Sequence, residues 1–407
     1  MAPSAVAAGV LAEQAGIRSE TLAKFLLDAA KGRIQLQPGE VIVCDEASMV
    51  STRDLAQLVL HAEAAGAKLV LVGDHYQLGS VDAGGLFRLL ATDAKTAELT
   101  AVRRFADPWE AQATRRLRTG DHSVIDEYIE HGRVTSADRD KTLDAAHQAW
   151  LDARREDRSV VVMAADHDTV DQLALRARAA RVAAGQVEPE GISVGQQTVG
   201  VGDEIVTTRN DRRLVTTTGA WVRNGDRWQI RHRTRTGALQ LSSLDERGTV
   251  TLPSEYVIEN VALAYAVTVH KAQGITVDEA VLVVDRATTA EHLYVGMTRG
   301  RHHNQACVVT EAAGDEHTRR ETPDAAVVLA GALRKTSNEK SATETLRDEL
   351  HQHGHSTGRQ AAILEGLRQT HAHSLNQTIS KQTRRHALTT VPTSPAPEAT
   401  IERGIEL

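Results

Sequence analysis

Two apolar runs set the first elements of the chain. EVIVC (40–44) and KLVLVG (68–73) are continuous rather than alternating, the pattern of strands buried on both faces. Residues 52–65 between them carry helical periodicity, with Ser51 or Thr52 placed to cap the helix. Strand, helix and strand in this spacing predict a βαβ unit of a parallel sheet. Upstream, residues 5–31 pattern as helix, with a second short helix over 21–30. Residues 109–118 and 141–156 also read as helices. SVVVMAA (159–165) opens a second α/β region, and 168–184 supplies its helix.

The pattern changes over 201–256. DEIVTTR, AWVRNGDRWQIRHRT, GALQLSSL and GTVTLP are short β-rich runs, and Asn224-Gly225 reads as a hairpin turn. AVLVV (280–284) and ACVVT (306–310) then resume buried strands, so a small all-β module interrupts the second α/β region. From about 314 the chain turns polar, with helices expected over 339–353 and 357–370 and a flexible end at VPTSPAPEAT (391–400). The last 113 residues contain no Phe, Trp or Tyr, which predicts a helical, partly disordered tail.

Composition bounds the function. The 407 residues have room for two or three domains with real cores. The net charge of −7 disfavours a protein that coats duplex DNA, unless its positive charge is local. Two cysteines, Cys44 and Cys307, cannot form a disulfide framework, and a cytoplasmic location is expected. No run of 18 apolar residues occurs, so no membrane span is expected, and no secretory signal pattern is present.

The chemistry sits at strand ends. VIVCDEASM (41–49) places Asp45 and Glu46 just past a predicted strand, where open α/β sheets bind ligands. One carboxylate can hold Mg²⁺ and the next can deprotonate an attacking water. Alone, the pair reads as acids capping the following helix. The second strand also ends in chemistry: Gly73-Asp74-x-x-Gln77 offers a tight exit and a neutral amide for a terminal phosphate or its water.

Together these segments resemble a known family. DEASM and GDHYQL are similar to the Walker B and third motifs of superfamily 1 helicases. ELTAVRRF (98–105) resembles the arginine motif, AYAVTVHKAQGITVD (264–278) the fifth and LYVGMTRGR (293–301) the sixth, in the family's order. The likeness runs over roughly residues 1–313 and is strongest to the RecD-like motor of conjugative relaxase-helicases of the TraA/TrwC/TraI type. It implies two RecA-like domains with parallel sheets, the first incomplete, an SH3-like β insertion and the C-terminal tail. The corresponding boundaries are 1–118 and 119–200 for the first domain and the start of the second, 201–256 for the insertion, 257–313 for the rest of the second domain and 314–407 for the tail.

The resemblance also implies roles. Asp45 binds Mg²⁺, Glu46 acts as base, Gln77 senses the γ-phosphate, and Arg104 and Arg299 stabilise charge on the transferred phosphoryl group. Asp74 and Gly274 fall in nucleotide-contacting motifs. Pro3 and Ser4 match the family's Ia segment, and Thr268, His270, Lys271 and Gln273 the fifth motif, both of which touch single-stranded DNA. Within 209–235 eight arginines face two aspartates, a local excess of six positive charges, with Trp221 and Trp228 among them. Arg209, Arg212 and Arg213 open this stretch, which suits a single-stranded DNA path. The tryptophans fit DNA stacking or the core of the module equally well.

One expected part is missing. The family's P-loop, G-x-x-x-x-G-K-[ST], cradles the triphosphate, and this sequence has no Gly-Lys pair. The Ia-like segment begins at residue 2, so truncation before the P-loop is expected, with weak or absent ATP hydrolysis by this chain alone. The leading expectation is an ATP- and Mg²⁺-dependent 5′-to-3′ DNA helicase motor that works with a relaxase domain or other conjugation proteins. A non-catalytic DNA-binding remnant, or a motor split over two chains, are the rivals.

Overall fold

The computed structural model describes residues 1–80, 84–99, 102, 104–310, 324–338, 340–353 and 364–369. The chain divides into two units, Met1–Ser341 and Ala342–Leu407, each treated by itself.

In the first unit, α1 (Ala5–Ala15) begins at Ser4, whose hydroxyl accepts the Ala7 amide, and ends at Gly16 in the left-handed region. Thr21 caps α2 (Leu22–Ala30) in the same way. Strands β1 (Val41–Cys44) and β2 (Lys68–Leu71) pair in parallel, and α3 (Thr52–Ala65) crosses between them from its Ser51 cap to Gly66. Parallel neighbours cannot be joined by a tight turn, so the helix is the connection. Leu22, Phe25, Ile42, Leu55 and Leu58 bury the faces that these elements share. The other edge of β1 is occupied by Met1, whose amino group donates to the Val43 carbonyl at 2.6 Å and whose carbonyl accepts the Asp45 amide at 2.9 Å.

Strand β2 departs from expectation. None of its four residues is buried, and Val72 just beyond is 42 % exposed. Among the described strands β2 pairs only with β1. An apolar run is buried only when neighbours cover both its faces and its edge, and this one is covered in part.

Two further helices follow, α4 (Leu86–Asp93) and α5 (Pro108–Arg118). The expected boundary at 118 places α5 in the front domain. Instead Ala113 and Leu117 of α5 pack into the second α/β core, against α6 (Val124–Glu130). The second domain continues with β3 (Val134–Ala137), α7 (Arg139–Arg155), β4 (Val160–Ala164) and α8 (His167–Ala183).

The insertion begins with the ribbon β5 (Ile192–Val194) and β6 (Gln197–Val199). It continues through β7 (Glu204–Thr207), β8 (Asp211–Val215), β9 (Trp221–Val222), β10 (Arg227–Arg233), β11 (Leu239–Ser243), β12 (Thr249–Leu252), α9 (Ser254–Asn260) and β13 (Val261–Leu263). A five-stranded antiparallel sheet has the order β12-β11-β10-β7-β13, so the module reaches past 256 to Leu263. Asn224-Gly225 does form a turn, with Gly225 at φ 94°, but it closes no hairpin. β9 pairs with β8, whereas β10 pairs with β7 and β11, so the turn passes the chain from one sheet to another.

The chain then returns to the second domain with β14 (Val267–Thr268), β15 (Val277–Val284), α10 (Ala290–Gly296) and β16 (Gly300–Val309). The result is a wholly parallel sheet of order β14-β4-β15-β16-β3. One continuous apolar core joins Trp150, Leu173, Val281 and Cys307 of this domain to Ile205, Trp228, Ile230 and Leu241 of the β module. The opposite face of the sheet buries α11 (Ala325–Leu333) through Leu329 and Leu333. That helix lies beyond 314, where the polar tail was expected to begin. Its run of Ala, Val and Leu packs without aromatics, which is why aromatic content misplaced the boundary. In the second unit, α12 (Ala342–His353) and residues 364–369 are helical. The rest of the expected 357–370 helix and the 391–400 segment lie outside the described residues.

The structure separates the two tryptophans. Trp228 is fully buried and its indole N–H donates to the Thr207 hydroxyl at 3.3 Å. Trp221 is half-buried, with the Arg212 guanidinium 4.5 Å from its ring centre. Trp228→Ala is therefore expected to cost about 3–5 kcal/mol in denaturant unfolding, against well under half of that for Trp221→Ala. Equal losses would contradict this division.

Candidate active site

Every candidate acid or amide of the front domain leaves the end of β1 or β2. Glu46 follows β1 at φ 50°, ψ 40°, a left-handed conformation that costs a non-glycine residue about 1–2 kcal/mol. Its backbone amide donates to Asp45 Oδ1 at 3.0 Å, which fixes the Asp45 carboxylate at the end of β1. After β2, Gly73 lets the chain pass close to the first one. A Cβ there would lie 3.1 Å from the Ala47 nitrogen and 3.2 Å from the Ser48 nitrogen. The loop then folds back on itself, with the Gln77 amide group donating to Asp74 Oδ2 at 3.4 Å.

The second domain contributes two guanidiniums. Arg299 follows α10 and is 2 % exposed. Its Nε donates to the Val295 carbonyl at 2.8 Å and one Nη to the Thr298 hydroxyl at 2.8 Å. Arg104 reaches the Thr298 carbonyl from the segment that joins the two domains. Its motif, 98–105, is described only in part, since residues 100, 101 and 103 lie outside the described set.

The electrostatics show that these groups share one place. Burial pushes the Glu46 carboxyl above its ordinary range, and Asp45 and Asp74 push the same way. Arg299 and Arg104 act on the same carboxyl in the opposite direction. Burial and the charge of Arg104 push the Arg299 guanidinium down to about 9. Among the described residues neither guanidinium has a carboxylate within ion-pair distance, and the buried Gln77 and Gln273 carbonyl oxygens have no partner. One buried and one half-buried guanidinium, without counter-ions among the described residues and acting on the Glu46 carboxyl, fit a polyanion carrying a divalent cation.

The loop of Gln77 is where the two domains meet. Tyr294 donates to Asp74 Oδ2 at 2.8 Å, and the Gln273 amide donates to the Leu78 carbonyl at 3.2 Å. Asn338, beyond α11, accepts the Gly79 amide at 2.7 Å and donates to the Gln77 carbonyl at 3.1 Å. Arg118 adds a contact to Asp74 at 3.5 Å. Asp74 is thus saturated by protein groups. Tyr294 stands inside the sixth-motif segment, where its hydroxyl was the overlooked signal. Asn338 carries no sequence signal.

The residues expected at DNA divide. Pro3 is half-buried, while Ser4 is exposed with its hydroxyl capping α1. Thr268 is buried and accepts the Lys271 amide at 3.4 Å, and Lys271 itself is exposed. His270 lies edge-on to His292 at 5.4 Å. Gln273 is engaged by the front domain, and Gly274 makes an exposed turn at φ 77°. Arg212 holds Glu20 of the front domain through two bonds of 2.8 and 2.9 Å, and Arg213 pairs with Asp211 at 2.7 Å. Arg209 is exposed, and its carbonyl accepts the Tyr256 hydroxyl. Arg231, Arg233 and Arg235 are open to solvent to varying degrees, with no ion-pair partner among the described residues.

Two family models match the chain, an AAA domain over residues 1–139 and a UvrD-like helicase C-terminal domain over 263–304. With two parallel sheets whose carboxylates and arginines share one site, they define the class as a superfamily 1 helicase. The probable conjugal transfer protein TraA of Sinorhizobium fredii is 33 % identical over 304 residues, covering 72 % of this chain and 27 % of that protein. The RecBCD enzyme subunit RecD of Mycolicibacterium smegmatis is 28 % identical over 316 residues, covering 70 % and 52 % respectively. More narrowly, then, the chain belongs to the RecD-like superfamily 1 helicases. It spans less than a third of the length of the TraA relatives. A crystal structure of Bacteroides Pif1 bound to ssDNA aligns with a TM-score of 0.48 at 16 % identity, over 75 % of this chain and 81 % of that one. Among the described residues no helix is long and apolar enough to cross a membrane.

Proposed function

We propose that this chain is the motor region of a conjugative relaxase-helicase, an ATP-dependent DNA helicase that moves 5′ to 3′ on single-stranded DNA. The observation that carries this reading is the shared site: Glu46 of the front domain lies in the field of Arg299 and Arg104. In this reading Glu46 takes the proton of the attacking water, and its raised pKa brings a carboxylate nearer the neutral range where a base works best. Activity accordingly falls as acid protonates Glu46. Gln77 orients the water or the terminal phosphate, and the two guanidiniums neutralise charge on the phosphoryl oxygens. Asp45 would hold Mg²⁺, which when bound screens the phosphate charges.

The loop from Asp74 to Gly79 couples this chemistry to movement. It carries Gln77 and is gripped by Tyr294, Gln273 and Asn338 of the second domain. A change at the γ-phosphate thereby shifts one domain against the other, and single-stranded DNA bound across both advances. Lys271 and the unpaired arginines of the β module supply phosphate contacts on one side of this path, Pro3 and Ser4 on the other. The partners in this reading are single-stranded DNA and a relaxase domain or other conjugation proteins in the cytoplasm. Hydrolysis by the chain assayed by itself is slow in this reading, because no P-loop is among its residues.

The rival is a non-catalytic DNA-binding remnant. Affinity for single-stranded DNA, measured by fluorescence anisotropy with and without Mg·ATP, separates the two. A motor changes its affinity with nucleotide, whereas binding that ignores ATP at all concentrations would favour the remnant.

A further inference from the structure

Glu110 of α5 has no exposed surface, and among the described residues it has no ion-pair partner. Its Oε1 accepts a hydrogen bond from the Asn304 amide at 2.9 Å, and its Oε2 is buried without a partner. A carboxyl costs too much to bury for packing alone. Asn304 is also fully buried. The same amide brackets the backbone of Gly300, accepting its N–H at 2.7 Å and donating to its carbonyl at 3.0 Å. A Cβ on Gly300 would lie 2.2 Å from the His303 carbonyl oxygen and 3.0 Å from Asn304 Oδ1, so the turn is closed on itself.

The place of this chain of bonds gives it meaning. Gly300 directly follows Arg299, and Glu110 lies on the helix that follows Arg104. The two segments meet at a second point, where the Ala106 amide donates to the Arg301 carbonyl at 2.8 Å. We propose that Glu110 is a positioning residue: through Asn304 it braces the Arg299 turn against the Arg104 segment, so that the two guanidiniums face the site as a fixed pair. This rests on the reading of those arginines as phosphate-facing groups.

The brace has a built-in sensitivity. Burial pushes the Glu110 carboxyl up to about 7, with the Asn304 bond and Arg133 opposing, Asp107 reinforcing, and His131 opposing. Tyr128 is a further titratable group that feels its charge. Around neutrality the carboxyl therefore changes charge, and the ionised form pulls harder on the Asn304 amide that holds the turn.

The test uses the full chain labelled with [¹⁵N]arginine. The Arg299 Nε–H, which is buried and hydrogen-bonded to Val295, is assigned by its loss in Arg299→Lys and followed through a pH titration. A sigmoidal shift with a midpoint near 7 is expected in the wild type, lost in Glu110→Gln and in Asn304→Ser, and kept in His131→Gln. No shift in the wild type, or one that survives Glu110→Gln, overturns the proposal, and a shift lost with His131→Gln assigns the effect to the imidazole instead. The readout needs no hydrolysis. Failure of the nucleotide reading would appear separately, as unchanged phosphate release in Glu46→Gln.

Discussion

Replacing Arg299 with methionine is expected to stabilise the fold by about 1–3 kcal/mol while removing the residual hydrolysis. The guanidinium is 2 % exposed and its pKa is pushed down to about 9. A fall of that size from the ordinary arginine value corresponds to roughly 5 kcal/mol against the charged folded form, as an upper bound. The hydrogen bonds to Val295 and Thr298 offset part of it, at about 1.5–3 kcal/mol for bonds from a charged donor. The sign with pH follows from linkage. A basic group with a lowered folded pKa carries its full penalty below that pKa and sheds it as pH rises toward the unfolded value. The stabilisation by Arg299→Met is thus constant from pH 6 to 8 and narrows above about 9. Thermal unfolding at several pH values checks this. A variant less stable than the wild type across the range would mean that the charge has a counter-ion and that the site is no anion cradle. Catalytic loss paired with a gain in stability is what a functional group held at a cost produces.

The second large effect concerns the β module. Changing Arg231, Arg233 and Arg235 together to glutamine is expected to weaken single-stranded DNA binding by at least tenfold at about 0.1 M salt, and to flatten the log–log salt dependence by about 2. Arg212→Gln is expected to leave that slope nearly unchanged, since its guanidinium is already occupied by Glu20. Salt titrations of the two variants decide it. A steeper loss for Arg212→Gln than for the triple variant would return the DNA contact to the start of the arginine-rich stretch.

The contrast between those arginines shows where sequence reasoning stops. The run of charge from 209 to 235 was visible, but which arginines remain open depends on Asp211 nearby and on Glu20 in another domain. The strand-end acids were legible because an apolar run followed by Asp-Glu is a local pattern, and β1, α3 and β2 fall where hydrophobic periodicity places them, although Val41 of β1 is exposed and the expected burial on both faces is not met. Asn224-Gly225 is equally local, and it misled: a turn signal does not say which strands flank it, and here they belong to different sheets. Glu110, Asn304, Tyr294 and Asn338 gain their roles from partners 194 to 261 residues away in the chain, except through motifs a distance that periodicity cannot span.

The central claim is that Glu46 lies in a working nucleotide site completed by the second domain. Single-turnover release of labelled γ-phosphate, with protein in excess and with or without single-stranded DNA, tests it most directly. Slow release that DNA accelerates, falling by about 10²-fold or more in Glu46→Gln, is the predicted result for loss of a general base. Release that Glu46→Gln leaves unchanged would contradict it and favour a DNA-binding chain without catalysis.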